Sequence, residues 1–386
     1  MKRILLAFAV AFAFSVSYSQ EKASVSKPVV KEHKGWKEGH KDHKWVEQTC
    51  DFNVLKRPKY TILYDACCDD DRHPGERIGA EGFIGMPSPH TFNWYHHGFF
   101  SMKINGNIPF RVPLADMTTL SQGKRAIMQM VWDAPEAVVQ IKFMRVPEED
   151  VIYVQTQWFP KENVDVKTVQ FNFSCYPSCF EKNGNHFAKT KTDIKYHGKE
   201  SLILDMKQND YVFYGDKVYD ASKGKWGTSA PCYLVFDKHH LSNGSVYITN
   251  YGVATTINAN VNAREARFIF ADAKDGERNK EVIEYLDKNA ASLQDKLMKI
   301  PFTSEDIDAF DSVAERKFID SLAAEAGEFC KPYKGKIETT FKQIRDAKKA
   351  LNSSESWQGE RDFAKAYEEY KKLIMRLKID AMMQLD

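Results

Sequence analysis

Residues 169–176 read Val-Gln-Phe-Asn-Phe-Ser-Cys-Tyr, and residues 139–146 read Val-Gln-Ile-Lys-Phe-Met-Arg-Val. In both runs apolar side chains recur at every other position. Because neighbouring side chains of a β-strand point to opposite faces, this alternation predicts strands with one face on a core and the other towards solvent. The same texture predicts strands at 60–64, 92–104, 126–132, 137–146, 151–159, 166–176, 201–206, 211–214, 232–236, 245–257 and 264–270.

No helical pattern separates these strands, which predicts antiparallel sheets in a sandwich or barrel. Asn105-Gly106, Asn183-Gly184 and Asn243-Gly244 are the strongest hairpin signals, since Asn-Gly suits the positive φ angles of tight turns. We therefore predict a mainly β protein, with a large antiparallel β-sandwich over residues 50–272.

The pattern changes at about residue 275, where apolar residues begin to recur at helical spacing. Four amphipathic helices are predicted, with Pro301 ending the first and a cap at Thr303-Ser304 starting the second. Their apolar stripes must pack together, against the sheet or against a partner. Residues 275–386 are therefore predicted as a C-terminal helical domain.

The first residues have the pattern of an export signal. Lys2 and Arg3 precede an apolar run over residues 4–14, and Ser17 and Ser19 supply the small residues expected before a cleavage site. We expect residues 1–19 to be a signal peptide. No later segment is apolar enough to span a bilayer, so we expect a periplasmic or secreted bacterial protein.

Residues 20–48 are polar and rich in Lys and His, which predicts a flexible leader. The whole chain of 386 residues is 43% apolar and 28% charged, the composition of an ordinary folded protein. Its net charge of +2 gives no overall attraction to nucleic acid or anionic lipid. Aromatic residues make up 13%, which fits a β-rich core and also a sugar-stacking surface.

Seven cysteines are present, at positions 50, 67, 68, 175, 179, 232 and 330. Export permits disulfides, and the odd count means that at least one cysteine is free or paired with another chain. Cys175 and Cys179 bracket a proline turn and are candidates for a small local disulfide loop. The adjacent pair Cys67-Cys68 is expected to pair elsewhere rather than internally.

The densest group of aromatic and His residues lies at 92–100. His96 and His97 are candidate catalytic residues, because imidazole exchanges protons near neutral pH. Trp94, Tyr95 and Trp158 are candidate substrate-binding residues, because their rings can stack on a sugar. The alternative interpretation is a structural role, with part of the group in the core and part exposed.

An acidic loop follows Cys68, in which Asp69, Asp71 and His73 are candidate metal ligands. Calcium would relieve the repulsion between its carboxylates, but the spacing matches no EF-hand. A solvated loop is the alternative. Otherwise no cofactor is expected, and no phosphate-binding loop, nucleophile elbow or HExxH motif occurs.

Several stretches of residues 50–272 share a characteristic order and texture: Trp94-Tyr95-His96-His97-Gly98, Asn105-Gly106, 152–160, Tyr251-Gly252-Val253 and Arg267-Phe268-Ile269-Phe270. In these stretches the β region resembles the galactose-mutarotase-like β-supersandwich found in many carbohydrate-active proteins. Enzymatic members of that family use a His with a Glu on the sugar ring. The resemblance implies that His96 or His97 takes the place of the His, whereas no Glu occupies a matching place.

The leading hypothesis is an exported carbohydrate-binding or carbohydrate-processing protein, and the sequence leaves open whether it is an enzyme. One alternative is a non-catalytic envelope or assembly protein whose C-terminal helices bind a partner or a second copy. Another is a metal-dependent enzyme that uses the His residues together with the loop from Asp69 to Asp71.

Overall fold

The computed structural model describes residues 22–34, 44–67, 82–89, 94, 98–177, 185–198, 200–217, 231–249, 252–273, 278–351 and 356–383. Within them, two large antiparallel sheets face each other and helices follow at the C-terminal end. The prediction of a mainly β protein with a C-terminal α region is confirmed. Residues 1–19, predicted as a signal peptide, the acidic loop after Cys68 and Asn183-Gly184 lie outside the described residues.

Among the described residues, sheet A contains ten strands. They are β1 (Ala23–Val25), β2 (Val29–Lys34), β3 (Lys44–Val54), β4 (Tyr60–Cys67), β5 (Gly82–Ser88), β6 (Phe100–Ile104), β11 (Val169–Cys175), β14 (Leu202–Leu204), β17 (Leu241–Ile248) and β18 (Val253–Ala259). Their order is β1-β3-β4-β5-β6-β11-β18-β17-β14, with β2 paired to β3.

Sheet B contains nine strands in the order β13-β12-β15-β16-β19-β10-β9-β8-β7. They are β7 (Leu114–Ser121), β8 (Ala126–Asp133), β9 (Ala137–Arg145), β10 (Ile152–Pro160), β12 (His186–Lys189), β13 (Ile194–Tyr196), β15 (Tyr211–Asp216), β16 (Cys232–Phe236) and β19 (Glu265–Asp272). Short 3-10 turns lie at Pro109–Arg111, Val261–Ala263 and Gly327–Cys330.

The main hydrophobic core lies between the two sheets and contains many aromatic rings. Phe173 of sheet A contacts Phe268 of sheet B at 4.9 Å and Phe270 at 5.6 Å between ring centroids. Phe100 stacks on Phe173 at 5.3 Å. In β11 every second residue is buried, so the alternation of residues 169–175 is confirmed.

In the part of the chain that the structure describes, five helices cover the outer side of sheet B and the region beyond it. They are α1 (Asn279–Lys299), α2 (Glu305–Ala309), α3 (Ser312–Ala326), α4 (Lys331–Ala350) and α5 (Ser356–Met383). Leu286, Leu293 and Leu297 of α1 pack on the outer face of sheet B, so this helix shares a core with the sandwich. Helices α2 to α5 enclose a separate core of their own. The predicted cap is confirmed, because the Ser304 hydroxyl accepts a hydrogen bond from Asp306 N.

The structure corrects the interpretation of β9. Its polar residues Gln140 and Lys142 were expected in solvent but are only 1% and 3% exposed. The reason is that Phe302 and the start of α5 lie over this part of sheet B. Alternation therefore identified the strand correctly and assigned its second face incorrectly.

The N-terminal segment is also different from the prediction of a flexible leader. Strand β1 pairs with β3 from Ala23↔Val54 onward, and β2 pairs with β3 as well. Ala23 and Val25 are buried in the main core. Strand pairing uses backbone groups, so a polar composition does not prevent this segment from completing the edge of a sheet.

The predicted strand at 92–104 is shorter than expected. Trp94 forms an isolated bridge with Cys175, Gly98 has a φ of 78°, and β6 begins only at Phe100. Because the chain turns at Gly98, Phe99 and Phe100 are both fully buried although they are adjacent. Simple alternation across this stretch was therefore the wrong model.

The two described Asn-Gly pairs have different outcomes. Asn105 and Gly106 form the expected turn, with φ of 50° and 86°, but the chain then crosses to sheet B instead of forming a hairpin with the next strand. Asn243-Gly244 lies inside β17. There a side chain on Gly244 would lie 2.6 Å from the backbone oxygen of Thr256, so the close approach of β18 explains the glycine.

Candidate functional site

The structure places two of the predicted substrate-binding residues in the core. Trp94 and Trp158 are 0% exposed. Trp94 packs against Phe99, Tyr214 and Phe270 with centroid distances of 5.4–5.6 Å. A ring enclosed in this way presents no face to a ligand, so both tryptophans are corrected to core residues.

The other predicted site residues lie outside the described residues: Tyr95, His96, His97, Asp69, Asp71, His73 and Cys179. The predictions for them stay predictions. Within the part of the chain that is described, no group of three or more His, Cys, Asp or Glu side chains is placed to hold a metal ion.

Several carboxylates near strand ends are engaged in structural contacts. Asp150 accepts a hydrogen bond from the buried Arg145 at 3.2 Å. Glu149 forms an ion pair with Lys296 of α1 at 2.8 Å. Asp116 accepts a hydrogen bond from Gln129 at 2.9 Å. Asp150 and Glu149 thus join the sandwich to neighbouring segments, and Asp116 joins two adjacent strands of sheet B.

A different surface emerges on the outer face of sheet A, where the centre of the sheet carries neutral polar side chains. The strand register aligns them in three rows that run across β6, β11, β18, β17 and β14. We call this surface the amide face. Its rows are Lys103-Gln170-Asn258-Asn243, then Ser101-Asn172-Thr256-Ser245-Ile203, then Ser174-Ala254-Tyr247.

Side-chain hydrogen bonds run along two of these rows. Gln170 Nε2 donates to Asn258 Oδ1 at 3.2 Å, and Asn258 Nδ2 donates to Asn243 Oδ1 at 2.7 Å. In the neighbouring row, Thr256 Oγ1 donates to Asn172 Oδ1 at 3.1 Å. These bonds fix the orientation of the amides before any ligand arrives, which lowers the entropy cost of binding.

The face combines exposed apolar groups with polar ones. Tyr247 is 49% exposed and Ile203 is 70% exposed. Lys103 is the single ionisable group in the three rows besides the Tyr247 phenol. A primary amide carries two donor hydrogens and two acceptor lone pairs, so amides that share one bond with a neighbour keep further bonding capacity. The surface is therefore suited to a neutral ligand with many hydroxyl groups.

Two His–Asp pairs were not anticipated from the sequence. His186 Nε2 lies 3.3 Å from Asp216 Oδ2, and both side chains are fully buried. His240 Nδ1 contacts Asp237 Oδ2, with the His side chain 27% exposed and the Asp buried. The Asp237 bond raises the pKa of His240 above its ordinary value. The spacing Asp-x-x-His between two predicted strands was the available signal for this second pair.

The Asp237–His240 pair has a clear structural role. Asp237 Oδ1 also accepts a hydrogen bond from His239 N at 2.8 Å, and the His240 carbonyl accepts from Asn260 N at 2.8 Å. These bonds hold the turn by which the chain crosses from β16 of sheet B to β17 of sheet A. An oriented, partly exposed imidazole can exchange protons, and the nearby charges of Glu265 and Arg267 act on the pKa of His240 in opposite directions.

No family model matches the chain, and a search of curated proteins finds no match. Among solved structures, the chain is similar to the GH36 α-galactosidase AgaA from Geobacillus stearothermophilus, with 11% identity and a TM-score of 0.29 over 63% of this chain. A variant of that enzyme in complex with 1-deoxygalactonojirimycin matches with 10% identity and a TM-score of 0.30 over 57% of this chain.

The matched region spans about two fifths of the length of each of these enzymes, namely 40% and 41%. Both are carbohydrate-active enzymes by name, whereas the resemblance to the galactose-mutarotase-like family is not confirmed by these comparisons. None of the helices in the described residues is long and apolar enough to cross a membrane.

Proposed function

We propose that this protein is exported and binds a neutral carbohydrate on the amide face of sheet A. The observation that carries the proposal is the hydrogen-bonded ladder of Gln170, Asn258 and Asn243, which shares the amide face with the exposed ring of Tyr247 two rows away. Sugars present hydroxyl groups that both donate and accept, together with apolar ring faces. Pre-oriented amides and an exposed aromatic ring match these two features.

Binding rather than cleavage is what this face supports. Hydrolysis of a glycosidic bond by the usual route needs two carboxyl groups at a set separation. The three rows of the amide face contain amides, hydroxyls, apolar residues and Lys103, and no Asp or Glu. Exclusion of carboxylates also favours a neutral or weakly anionic glycan over a cationic ligand.

The test is a screen of the purified mature protein against a glycan panel, followed by calorimetry with the best ligand. We expect Tyr247→Ala to weaken binding by about 0.5–1.5 kcal/mol, or roughly two- to tenfold in Kd, through loss of ring stacking. Asn258→Ala removes the centre of the ladder and should weaken binding by a similar factor.

Tyr285→Ala is the matched control, because Tyr285 of α1 is 45% exposed and lies away from the amide face. The glycan affinity of the Tyr285→Ala variant should equal that of the parent protein. If Tyr247→Ala and Tyr285→Ala lost glycan affinity equally, the amide face would not be the binding site. The proposal would also be refuted if the parent protein bound no glycan in the panel. Export is tested separately, by N-terminal sequencing of the protein recovered outside the cytoplasm.

A second candidate function is association through the C-terminal helices. On α5, four apolar side chains recur at helical spacing on the side away from the helical core and are 42–73% exposed: Met375, Ile379, Met382 and Met383. Such a stripe is typical of a helix that packs against another protein surface. Light scattering of the full chain tests it, since Met375→Lys should shift an oligomer towards monomer. A monomeric parent protein would refute self-association.

A further inference from the structure

Two cysteines from different sheets meet inside the sandwich. The sulfur atoms of Cys175 and Cys232 lie 2.9 Å apart, and the residues are 1% and 0% exposed. Two non-bonded carbon atoms prefer a separation of about 3.5–4.0 Å, and sulfur is larger than carbon. A disulfide bond measures ~2.03–2.05 Å. The two sulfurs are thus closer than ordinary non-bonded packing, and their separation exceeds the length of a disulfide bond by only about 0.9 Å.

The strand pattern explains why they face each other. Cys175 ends β11 on its inward side, which it shares with Phe171 and Phe173. Cys232 begins β16 on the inward side that it shares with Leu234. Each cysteine therefore points across the core towards the opposite sheet, and the contact does not depend on the conformation of a loop.

Neighbouring contacts hold the sheets at this spacing. Next to Cys232 in sheet B, Tyr214 forms a hydrogen bond of 2.8 Å to Thr255 of sheet A. Trp94, which bridges to Cys175, packs on the same Tyr214 ring at 5.6 Å. A hydrogen bond and an aromatic contact thus fix the distance between the sheets on the same side of the sandwich.

We propose that Cys175 and Cys232 form a disulfide bond that joins the two sheets. It replaces the local Cys175–Cys179 loop expected from the sequence. In the reaction, one thiolate attacks an external organic disulfide and releases one thiol. The second cysteine then attacks the mixed disulfide and releases the other thiol. The two cysteines lose two electrons and two protons, and the external disulfide is reduced to two thiols.

The proposed export supplies the oxidising compartment, while the bond itself depends only on the geometry of the sandwich. Burial raises the pKa of both thiols, so the reactive thiolate is scarce in the folded state. The bond is therefore expected to form before the sheets close. Once closed, the sandwich should shield it from reductants until the protein unfolds.

The experiment maps the bond by mass spectrometry after refolding with oxidised glutathione and alkylation of remaining thiols in denaturant. Trypsin places Cys175 and Cys179 on peptide 168–182 and Cys232 on peptide 226–238. The Cys179→Ser variant removes the ambiguity within the first peptide. We expect that variant to yield the two peptides linked, with a mass lower by two hydrogens than the sum of the separate peptides.

A second readout is the melting temperature of protein refolded with and without reductant. The parent protein should melt lower when refolded in reductant, and so should the matched control Cys330→Ser, whose cysteine lies in the helical core. The double variant Cys175→Ala/Cys232→Ala should lose this difference or most of it.

Alkylation of both Cys175 and Cys232 after oxidative refolding would overturn the proposal, and so would a bond from either one to a different cysteine. These outcomes leave glycan binding unaffected, because the amide face lies on the opposite side of sheet A from the core. Failure of one proposal is thus distinguishable from failure of the other.

Discussion

The ion pair between Lys142 of β9 and Glu360 of α5 should be among the most sensitive contacts between the sandwich and the helices. Lys142 Nζ lies 2.6 and 2.7 Å from the two carboxylate oxygens, and the side chains are 4% and 9% exposed. The same ammonium donates to the carbonyl of Phe302 at 3.2 Å. Both charges are therefore desolvated, and each depends on the other for compensation.

Removing one partner leaves the other as an uncompensated buried charge. Such a change costs about 3–5 kcal/mol, whereas replacing both partners by apolar residues is often neutral or stabilising. We therefore expect Lys142→Met and Glu360→Leu each to destabilise the protein by about 3–5 kcal/mol. The double variant should recover most of that loss, so the two changes should be strongly non-additive.

Urea unfolding followed by circular dichroism at a helix wavelength provides the measurement, because the helices report the loss of α5 directly. Lys280→Met is the matched control: its partner Glu284 is 3.8 Å away and the two side chains are 81% and 66% exposed. Exposed pairs of this kind contribute little, so its unfolding midpoint should not change. Losses below about 1 kcal/mol in the single variants, or a double variant no more stable than either, would refute the reasoning.

Three further predictions concern the turn at Asp237 and two glycines, Gly244 and Gly335. The hydrogen bond to Asp237 raises the pKa of His240. The contribution of protonated His240 to the stability of the folded protein is therefore complete below about pH 6.5. It is lost as the pH rises through the raised pKa, and Asp237→Asn should lower the His240 pKa measured by NMR titration; an unchanged pKa would contradict the assignment. Gly244→Ala should destabilise the protein, because the new methyl group meets the Thr256 carbonyl at 2.6 Å. Gly335 lies inside α4, and no atom lies within 4 Å of the Cβ that an alanine would add. Gly335→Ala should therefore stabilise the protein by about 0.5–1 kcal/mol. Thermal melts of both glycine variants measure these effects.

Much of the secondary structure follows from local pattern. In β11 alternation predicts correctly which side chains are buried and which are accessible. It does so because nothing covers the outer side of this strand among the described residues. In β9 the same pattern predicts the strand but not the burial of Lys142, since the cover comes from a helix more than 200 residues later in the chain. The local sequence pattern predicts which residues form a strand. It does not predict which distant segment of the chain packs on the outer face of that strand.

The candidate site shows the same division. The outward positions of Gln170 and Asn172 were predictable from alternation alone. Their alignment with Asn258 and Thr256 depends on the pairing of β11 with β18, which lies more than 80 residues away in the chain. A lone amide on a strand is an ordinary surface residue, and sheet order is what converts several of them into one surface.

The aromatic group at 92–100 shows where composition alone misleads. The sequence by itself determined a β-rich region with a concentration of rings near Trp94, followed by amphipathic helices. Only the tertiary structure decided that Trp94 belongs to the core, that Cys175 meets Cys232, and that the open polar surface lies on the far side of sheet A. The physical reason is that burial and contact depend on which distant strands become neighbours, and the alternation within a single strand carries no information about that pairing.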